Sequence, residues 1–328
     1  MSQHAETVAL HPEIQQRIQK QRLLDNVFRY VTLSFALLVL VILGGVIVSL
    51  VDGALPALKK FGFDFLTTER WNPVKEVFGA RAAIYGTLMT SLIAMIVGIP
   101  VSFGIAIFLT ELAPEWLKRP IGTAIELLAG IPSIIYGIWG LFVFAPFLQR
   151  NIQPLLIAIF ADVPGLSSFF AGPPFGIGVF TAGLILGIMV LPFITSVTRD
   201  VFETVPALLK ESAYGLGATT WEVVWQIVIP YTRVGLVGGV MLGLGRALGE
   251  TMAVTFVIGN AHRISPSILA PGTTISASIA NEFQEAVGDI YTSALVVLGL
   301  LLFVITFTVL ALAKLMLIRM QRNTGART

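Results

Sequence analysis

Long stretches without a charged side chain recur along the sequence. Uncharged runs of 22, 29, 23, 36 and 24 residues lie between Arg29 and Asp52, Arg81 and Glu111, Glu126 and Arg150, Asp162 and Arg199, and Asp289 and Lys314. Each run exceeds the roughly 20 residues that an α-helix needs to cross about 30 Å of hydrocarbon. With one further apolar run that contains two charges, they predict an all-α integral membrane protein. Its six transmembrane helices are predicted at Tyr30–Val51, Ala82–Thr110, Pro120–Leu148, Phe175–Thr198, Val234–Asn260 and Ile290–Ala313.

Basic residues are distributed unevenly over the segments that join these spans. Six spans place both termini on one side, and the segments on that side hold 13 Lys and Arg residues against 7 on the other. Cytoplasmic segments are enriched in Lys and Arg, so both termini are predicted to be cytoplasmic. The segment 52–81, assigned to the outside, holds five basic residues and weighs against this assignment.

The predicted spans divide the chain into four segments. Residues 1–29 are predicted to form a cytoplasmic segment, either an amphipathic helix or a solvated lead-in to the first span. Residues 30–81 form the first span and an external loop, 82–318 the main transmembrane domain, and 319–328 a cytoplasmic tail. Within the segment 149–174, the apolar stretch Leu155–Phe160 is too short to span and predicts an external re-entrant or lid-like insertion.

Composition narrows the function classes. The chain is 55% hydrophobic and 12% charged, about half the charged fraction of soluble domains, which excludes a soluble globular protein. A net charge of +2 without a basic cluster argues against nucleic-acid binding. The absence of Cys excludes disulfides and thiolate metal sites, and three scattered His residues, His4, His11 and His262, do not suggest a metal site.

The first half of the segment Arg199 to Arg233 carries helix signals where a simple connector would be rich in turn residues. Pro206 suits a first helical turn, and the following residues favour a helix. Gly215 and Gly217 are expected to end that helix in a sharp turn.

A second helix is predicted directly after this turn. Thr219 and Glu222 have the spacing of a capping box, and Pro230 is expected to stop the helix that they start. Trp221 and Trp225 on this helix are apolar anchors of the kind that contribute strongly to protein interfaces. The whole segment is therefore expected to dock a cytoplasmic partner.

This segment resembles a signature of the permeases of ABC importers. That signature reads E-A-A, three residues, Gly, nine residues, I-x-L-P. The matching residues are Glu211, Ser212, Ala213, Gly217, Ile227, Ile229 and Pro230, where Ser212 replaces Ala and Ile229 replaces Leu. The resemblance implies that the segment, with Thr219 and Glu222, contacts an ATPase subunit. An ordinary amphipathic hairpin at the membrane surface is the alternative.

The chain contains no G-x-x-x-x-G-K-[ST] loop that would cradle nucleotide phosphates. It is therefore expected to be a non-catalytic subunit that binds no cofactor. ATP and Mg²⁺ would then belong to partner ATPase subunits.

The fifth predicted span contains two charged residues, which are costly in hydrocarbon unless they are paired or face water or protein. Arg246 and Glu250 lie four residues apart and are expected to share a helix face as an ion pair. Gly235, Gly239 and Gly243 lie near the same face, so it is expected to pack closely against another helix, within the chain or across a subunit boundary. The pair is interpreted as part of a substrate pathway, with a purely structural pair as the alternative.

The stretch 243–253, GLGRALGETMA, resembles the same region of phosphate-importer permeases within the ABC-importer family. Further matches lie in the external stretch 62–87 and at 130–137, GIPSIIYG. The resemblance implies the type I ABC-importer permease fold, in a multi-pass protein of the bacterial inner membrane. It also implies a heterodimer with a sister permease, two ATPase subunits and an external phosphate-binding protein.

Three other functions remain open on the sequence alone. The docking signature is shared by importers of other oxyanions, such as molybdate or sulfate. An ion-coupled secondary transporter would use Arg246 and Glu250 directly, although the docking signature argues against it. A non-transporting scaffold or regulator is the third alternative.

Overall fold

The computed structural model describes residues 12–325, and the chain divides between Asp52 and Gly53 into two compact units. The described part of the first unit is helical and belongs to helix α1, Pro12–Phe61. From Tyr30 to Val48 this helix carries no charge and exposes most of its apolar side chains, as a lipid-facing helix does. The helix runs through residue 29 without a break. Residues 1–11 and 326–328, at the ends of two predicted segments, lie outside the described residues, as do His4 and His11.

The second unit is built from helices. The described residues also contain one isolated antiparallel bridge, between Asn72 and Val77. The helices after α1 are α2 Asp64–Thr67, α3 Arg81–Ile107, α4 Glu115–Ala129, α5 Ser133–Trp139, α6 Ala145–Phe147, α7 Gln153–Phe160, α8 Val179–Glu203, α9 Ala207–Gly215, α10 Thr220–Val223, α11 Ile229–Gly249, α12 Met252–Val257, α13 Ile275–Glu282 and α14 Asp289–Gly325.

Six helical stretches of the described residues are long and apolar enough to cross a membrane, which confirms the predicted number. They are Lys20–Phe61, Arg81–Leu112, Ser133–Phe160, Val179–Glu203, Thr220–Gly249 and Asp289–Arg319. Four of them overlap the predicted spans closely, and the third and the fifth are displaced, because the fifth begins at Thr220 and ends at Gly249.

The third span begins at Ser133 rather than Pro120, so its predicted position was wrong. The helix α4 ends at Ala129, because Gly130 and Pro132 interrupt the chain before α5 begins. The span then continues to Phe160 and includes the stretch that we expected to form a lid-like insertion. That expectation was wrong as well.

Two π-helical turns keep the third span helical past its prolines. They occupy Gly140–Phe144 and Leu148–Ile152, and each directly precedes a short α-helical piece with a proline in its first turn. A π turn shifts the carbonyl with which the proline ring would clash in an α-helix. A proline inside an apolar run therefore does not end this helix.

The helix α8 lies at the centre of the second unit, with about two thirds of its apolar window buried. On one side Gly183 and Gly187 let it approach α3 closely. On the other side Gly235, Gly239 and Gly243 of α11 face it, and a Cβ added at these three would lie 2.6, 3.1 and 2.6 Å from Val201, Val197 and Ile194. The glycine face of α11 therefore packs against a helix of the same chain.

One end of the second unit carries α9 and α10 and is called the docking end; the opposite end carries the loop 258–274. At the opposite end Trp71 stacks on His262, with ring centroids 5.2 Å apart. The Nε2 atom of His262 lies 3.7 Å from Glu282, which also accepts a hydrogen bond from Tyr291. Burial lowers the pKa of His262 below its usual value, although Glu282 acts in the other direction.

Candidate functional site: the docking loop and the broken fifth span

The docking loop, residues 199–233, folds as the sequence predicts in its first half. The helix α9 begins directly after Pro206 and ends at Gly215. Gly217 adopts a φ of +89°, a left-handed conformation that residues with a Cβ rarely take. The next amide, of Ala218, donates to the carbonyl oxygen of Ala213 at 3.1 Å, which closes the turn.

A capping box starts α10, as the spacing of Thr219 and Glu222 predicts. The Thr219 amide donates to Oε2 of Glu222 at 2.7 Å. In return, the Glu222 amide donates to the Thr219 hydroxyl oxygen at 3.4 Å. Both bonds satisfy amide groups that the first turn of a helix leaves without intrahelical partners.

Pro230 does not end the second helix, so that expectation was wrong. A π-helical turn at Val224–Val228 precedes it, and α11 continues from Ile229 to Gly249 with Pro230 in its first turn. The second helix of the docking loop and the fifth span are therefore one helical stretch, Thr220–Gly249.

The tip of the docking loop is apolar and exposed. Leu216 at the turn is 91% exposed and Trp221 is 69% exposed. The rings of Trp221 and Trp225 lie 5.2 Å apart and form a continuous aromatic surface. Exposed aromatic side chains at a convex tip are typical anchors of a protein interface.

The signature residues fall into two groups by burial. Glu211 and Ser212 are exposed, so they lie on the side of α9 that faces away from the bundle. Ala213, Ile227 and Ile229 are half-buried and pack on an apolar cluster formed by Ala106, Phe202, Val205, Val223, Val228 and Leu236. The buried group seats the loop on the ends of α3, α8 and α11, and the exposed group remains available to a partner.

A partly buried ion pair also seats the loop, and no sequence pattern predicts it. Lys210 Nζ on α9 lies 2.5 Å from Oε1 of Glu111, which lies in the π-helical turn Phe108–Leu112 that continues α3. The two side chains are 19% and 6% exposed. Glu111 ends a run of 29 uncharged residues, which marks it as a membrane boundary, but nothing in the sequence pairs it with Lys210.

The fifth span is broken where we expected a continuous helix. The helix α11 ends at Gly249, Glu250 has an extended backbone with ψ of 129°, and α12 begins at Met252. The Oε1 atom of Glu250 accepts a hydrogen bond from the Ala253 amide at 3.3 Å, so its side chain satisfies one free amide in the first turn of α12.

Arg246 lies one turn before the break, with its guanidinium 4.2 Å from the centre of the Phe193 ring. Its side chain is exposed on the bundle. In the described part of the chain Arg246 and Glu250 form no ion pair within 4.0 Å, so the expected pairing was wrong. The break removes the helical geometry that would bring residues four apart together.

The depth of Arg246 follows from its contact with α8. Phe193 lies ~21 Å along α8 from Val179 and ~15 Å from Glu203, at 1.5 Å per residue. Arg246 is therefore an exposed cation near the middle of a membrane-spanning bundle. Such a charge requires water, protein or an anion beside it.

The sequence did not suggest a metal site. Within residues 12–325 no group of three or more His, Asp or Glu side chains is placed to hold a metal ion.

Comparison with known proteins identifies the family to which these features belong. Residues 98–322, which include the docking loop and the broken fifth span, match the model of the binding-protein-dependent transport system inner membrane component. The chain belongs to this family. The membrane-spanning helices and the docking loop are thus those of a multi-pass permease component.

Individual relatives agree with this family. The chain is 66% identical to the phosphate transport system permease protein PstC of Mesorhizobium japonicum, over 94% of both proteins. It is 58% identical to the protein of the same name from Pasteurella multocida, over 93% of this chain and 95% of that protein.

A solved structure shares the fold. A chain of a bacterial ABC transporter involved in alginate import superposes with a TM-score of 0.60, over 92% of this chain and 99% of that one, at 21% identity. This likeness confirms the expected fold of an ABC-importer permease.

Proposed function

We propose that the protein is a membrane-spanning permease subunit of an ATP-driven importer of inorganic phosphate. The observation that carries this proposal is the 66% identity, over 94% of both chains, with a relative named as a phosphate transport system permease. An importer of another oxyanion, such as molybdate or sulfate, is the competing function, because the docking loop does not distinguish between anions.

The docking loop supports coupling to an ATPase subunit. Its apolar tip at Leu216, Trp221 and Trp225 is exposed, while its buried side is fixed to three helices of the bundle. A partner that displaces the tip therefore moves the bundle. In this proposal two ATPase subunits bind ATP and Mg²⁺ and perform hydrolysis, and this chain binds no cofactor and has no catalytic role.

The other proposed partners follow from the importer architecture. The chain pairs with a sister permease, and an external phosphate-binding protein delivers the anion at the end opposite to the docking loop. The family supports a bacterial inner-membrane location. The lysine and arginine count supports an orientation with both termini and the docking loop in the cytoplasm.

Arg246 is proposed to face the anion pathway. A guanidinium offers two parallel N–H donors to phosphate oxygens and keeps its charge in a membrane. Its exposure near mid-depth leaves it accessible from the surface of this subunit. Glu250, next to the helix break, is proposed to line the same pathway and to prevent the anion from binding too tightly to leave.

The test is uptake of labelled phosphate by the complete complex reconstituted in vesicles. ATP-dependent uptake that excess sulfate and molybdate do not reduce is expected. Uptake of sulfate or molybdate in place of phosphate would replace the proposed substrate. Uptake that needs an ion gradient but no ATP would contradict the importer class.

A further inference from the structure

The ion pair between Lys210 and Glu111 joins the docking loop to a helix that lies 99 residues earlier in the chain. It is more enclosed than the pair Lys118–Glu115, whose side chains are 34% and 89% exposed. Separating such a partly buried pair leaves each charge without its partner at a site that water reaches only in part. Lys210 and Glu111 are therefore expected to move together when the docking loop moves.

The first helix of the docking loop depends on such a contact. The helix α9 has no fully buried residue, and Ala213 alone among its residues belongs to the apolar cluster at the docking end. A helix that is held by little apolar burial follows a displaced partner easily. Lys210 supplies its charged attachment to the bundle.

The receiving helix reaches the other end of the unit. Thr87, in the first turns of α3, lies ~36 Å from Glu111 at 1.5 Å per residue. Its hydroxyl oxygen accepts a hydrogen bond from the Ile275 amide at 3.0 Å, and both residues are buried. At Gly86 a Cβ would lie 1.8 Å from the carbonyl oxygen of Thr273, so the two backbones are in direct contact. The helix α3 thus touches the loop at the opposite end.

The helix α3 contains Pro100, but α8 supports it on both sides of that residue. A Cβ at Gly183 of α8 would lie 2.7 Å from Ile93, and the Ser102 hydroxyl donates to the Leu191 carbonyl oxygen at 3.3 Å. The two helices are therefore expected to move as one body. Because α8 carries Phe193, displacement of α3 together with α8 also shifts the ring against which the Arg246 guanidinium lies.

We propose that the Lys210–Glu111 pair is a transmission link, which carries displacement of the docking loop into α3 and from there to the loop at the opposite end. This inference rests on the proposed function, because it assumes that an ATPase subunit displaces the docking loop. It assigns positioning roles to two residues outside the anion pathway.

The first test measures transport and ATP hydrolysis by the reconstituted complex, both normalised to assembled complex. Glu111→Gln and Lys210→Met are expected to lower the anion carried per ATP at least about fivefold, within the usual range of coupling between sites. The double variant Glu111→Lys with Lys210→Glu, which reverses the pair, is expected to recover most of this ratio. The matched control is Glu115→Gln with Lys118→Met, which removes an exposed pair near the same end and should leave the ratio unchanged.

The second test measures a change in the loop 258–274, at the end opposite to the docking loop, in the absence of any substrate. The chain has no Cys, so Ser265→Cys on the loop 258–274 supplies a unique label when the partner subunits are also free of cysteine. Binding of a non-hydrolysable ATP analogue is expected to change the labelling rate at this position. The change should disappear with Lys210→Met and return in the reversed pair.

Each outcome decides the proposal. A parental response in Lys210→Met, or a reversed pair that assembles without the response, would overturn it. Failure of the single and reversed variants alike to assemble would assign the pair to folding and overturn it too. A complex that carries sulfate instead of phosphate would refute the proposed function. The labelling test would still be interpretable in that case, because it needs no substrate.

Discussion

Gly217 holds a backbone conformation that a side chain makes costly, by roughly 1–2 kcal/mol for a left-handed residue. Gly217→Val is expected to displace α10 relative to α9, because the turn between them needs this conformation. The variant should insert normally, lose most transport and retain less ATPase subunit during purification. Gly215→Val is the matched control, since Gly215 lies two residues earlier with nothing within 4 Å of an added Cβ and no positive φ. Equal transport by both variants would contradict this prediction.

Arg246 is predicted to act on the anion through the geometry of its donors. Arg246→Lys keeps the charge but loses the fork of N–H groups, and should lower transport by roughly tenfold or more, the loss of one charge-assisted hydrogen bond. Arg246→Gln should abolish transport of labelled phosphate in vesicles while the complex still assembles.

Glu250 provides the control for this prediction. Glu250→Gln retains a carbonyl oxygen that accepts from the Ala253 amide, so this bond to the first turn of α12 should persist. Adding Glu250→Gln to Arg246→Gln is not expected to restore transport. Near-parental transport by that double variant would show that the two charges serve only packing.

Contacts of single residues can be predicted from the sequence when both partners are close together in the chain. The Thr219–Glu222 capping box and the Gly217 turn are local, so spacing alone predicts them. The Lys210–Glu111 pair depends on how three helices pack, and no local pattern indicates it. The ion pair expected from i,i+4 spacing failed because the helix ends between its members.

At the scale of helices, the contact between α8 and α11 predicts a large difference between two glycines of one helix. A Cβ at Gly243 would lie 2.6 Å from Ile194, whereas nothing lies within 4 Å of one at Gly238. Gly243→Ala should separate the helices and destabilise the protein by about 1–3 kcal/mol, the usual cost of overpacking. Gly238→Ala should be neutral or stabilising, because alanine favours a helix. Thermal unfolding of the purified complex, monitored by its aggregation, measures this difference. Equal unfolding midpoints for the two variants would contradict the prediction.

Prolines explain why some helix boundaries were predicted correctly and others were not. Pro132 follows Gly130 and separates two helices, whereas Pro230 lies within one continuous stretch. A π turn before Pro230 removes the clash with the carbonyl four residues earlier. Whether a chain adopts that turn depends on its packing, so the sequence alone does not separate the two cases.

At the scale of the molecule, the span count was predictable because uncharged runs have a minimum length. The position of the third span was not, since α4 and the following span share one apolar run. An amphipathic helix and the start of a span look alike in such a run. The domain boundaries predicted at 29, 81 and 318 stay predictions.

The orientation in the membrane is testable with single cysteines, because the chain has none of its own. Cysteines at the exposed positions Lys75 and Glu285 should react with an impermeant thiol reagent added to intact cells. Cysteines at Arg119 and Glu211, which are also exposed on the protein, should react only after the membrane is opened. Labelling at Glu211 from outside would reverse the proposed topology.

The central position of α8 has a consequence for the order in which the protein is synthesised. The ribosome releases α3 before α8, and α11 only later, so α8 first meets α3 through Gly183 and Gly187. Until α11 is inserted, the other face of α8 is in contact with lipid; it carries Ile194, Val197 and Val201. These side chains are apolar, so the half-built bundle tolerates that delay. Assembly of the core can therefore proceed helix by helix as the chain emerges.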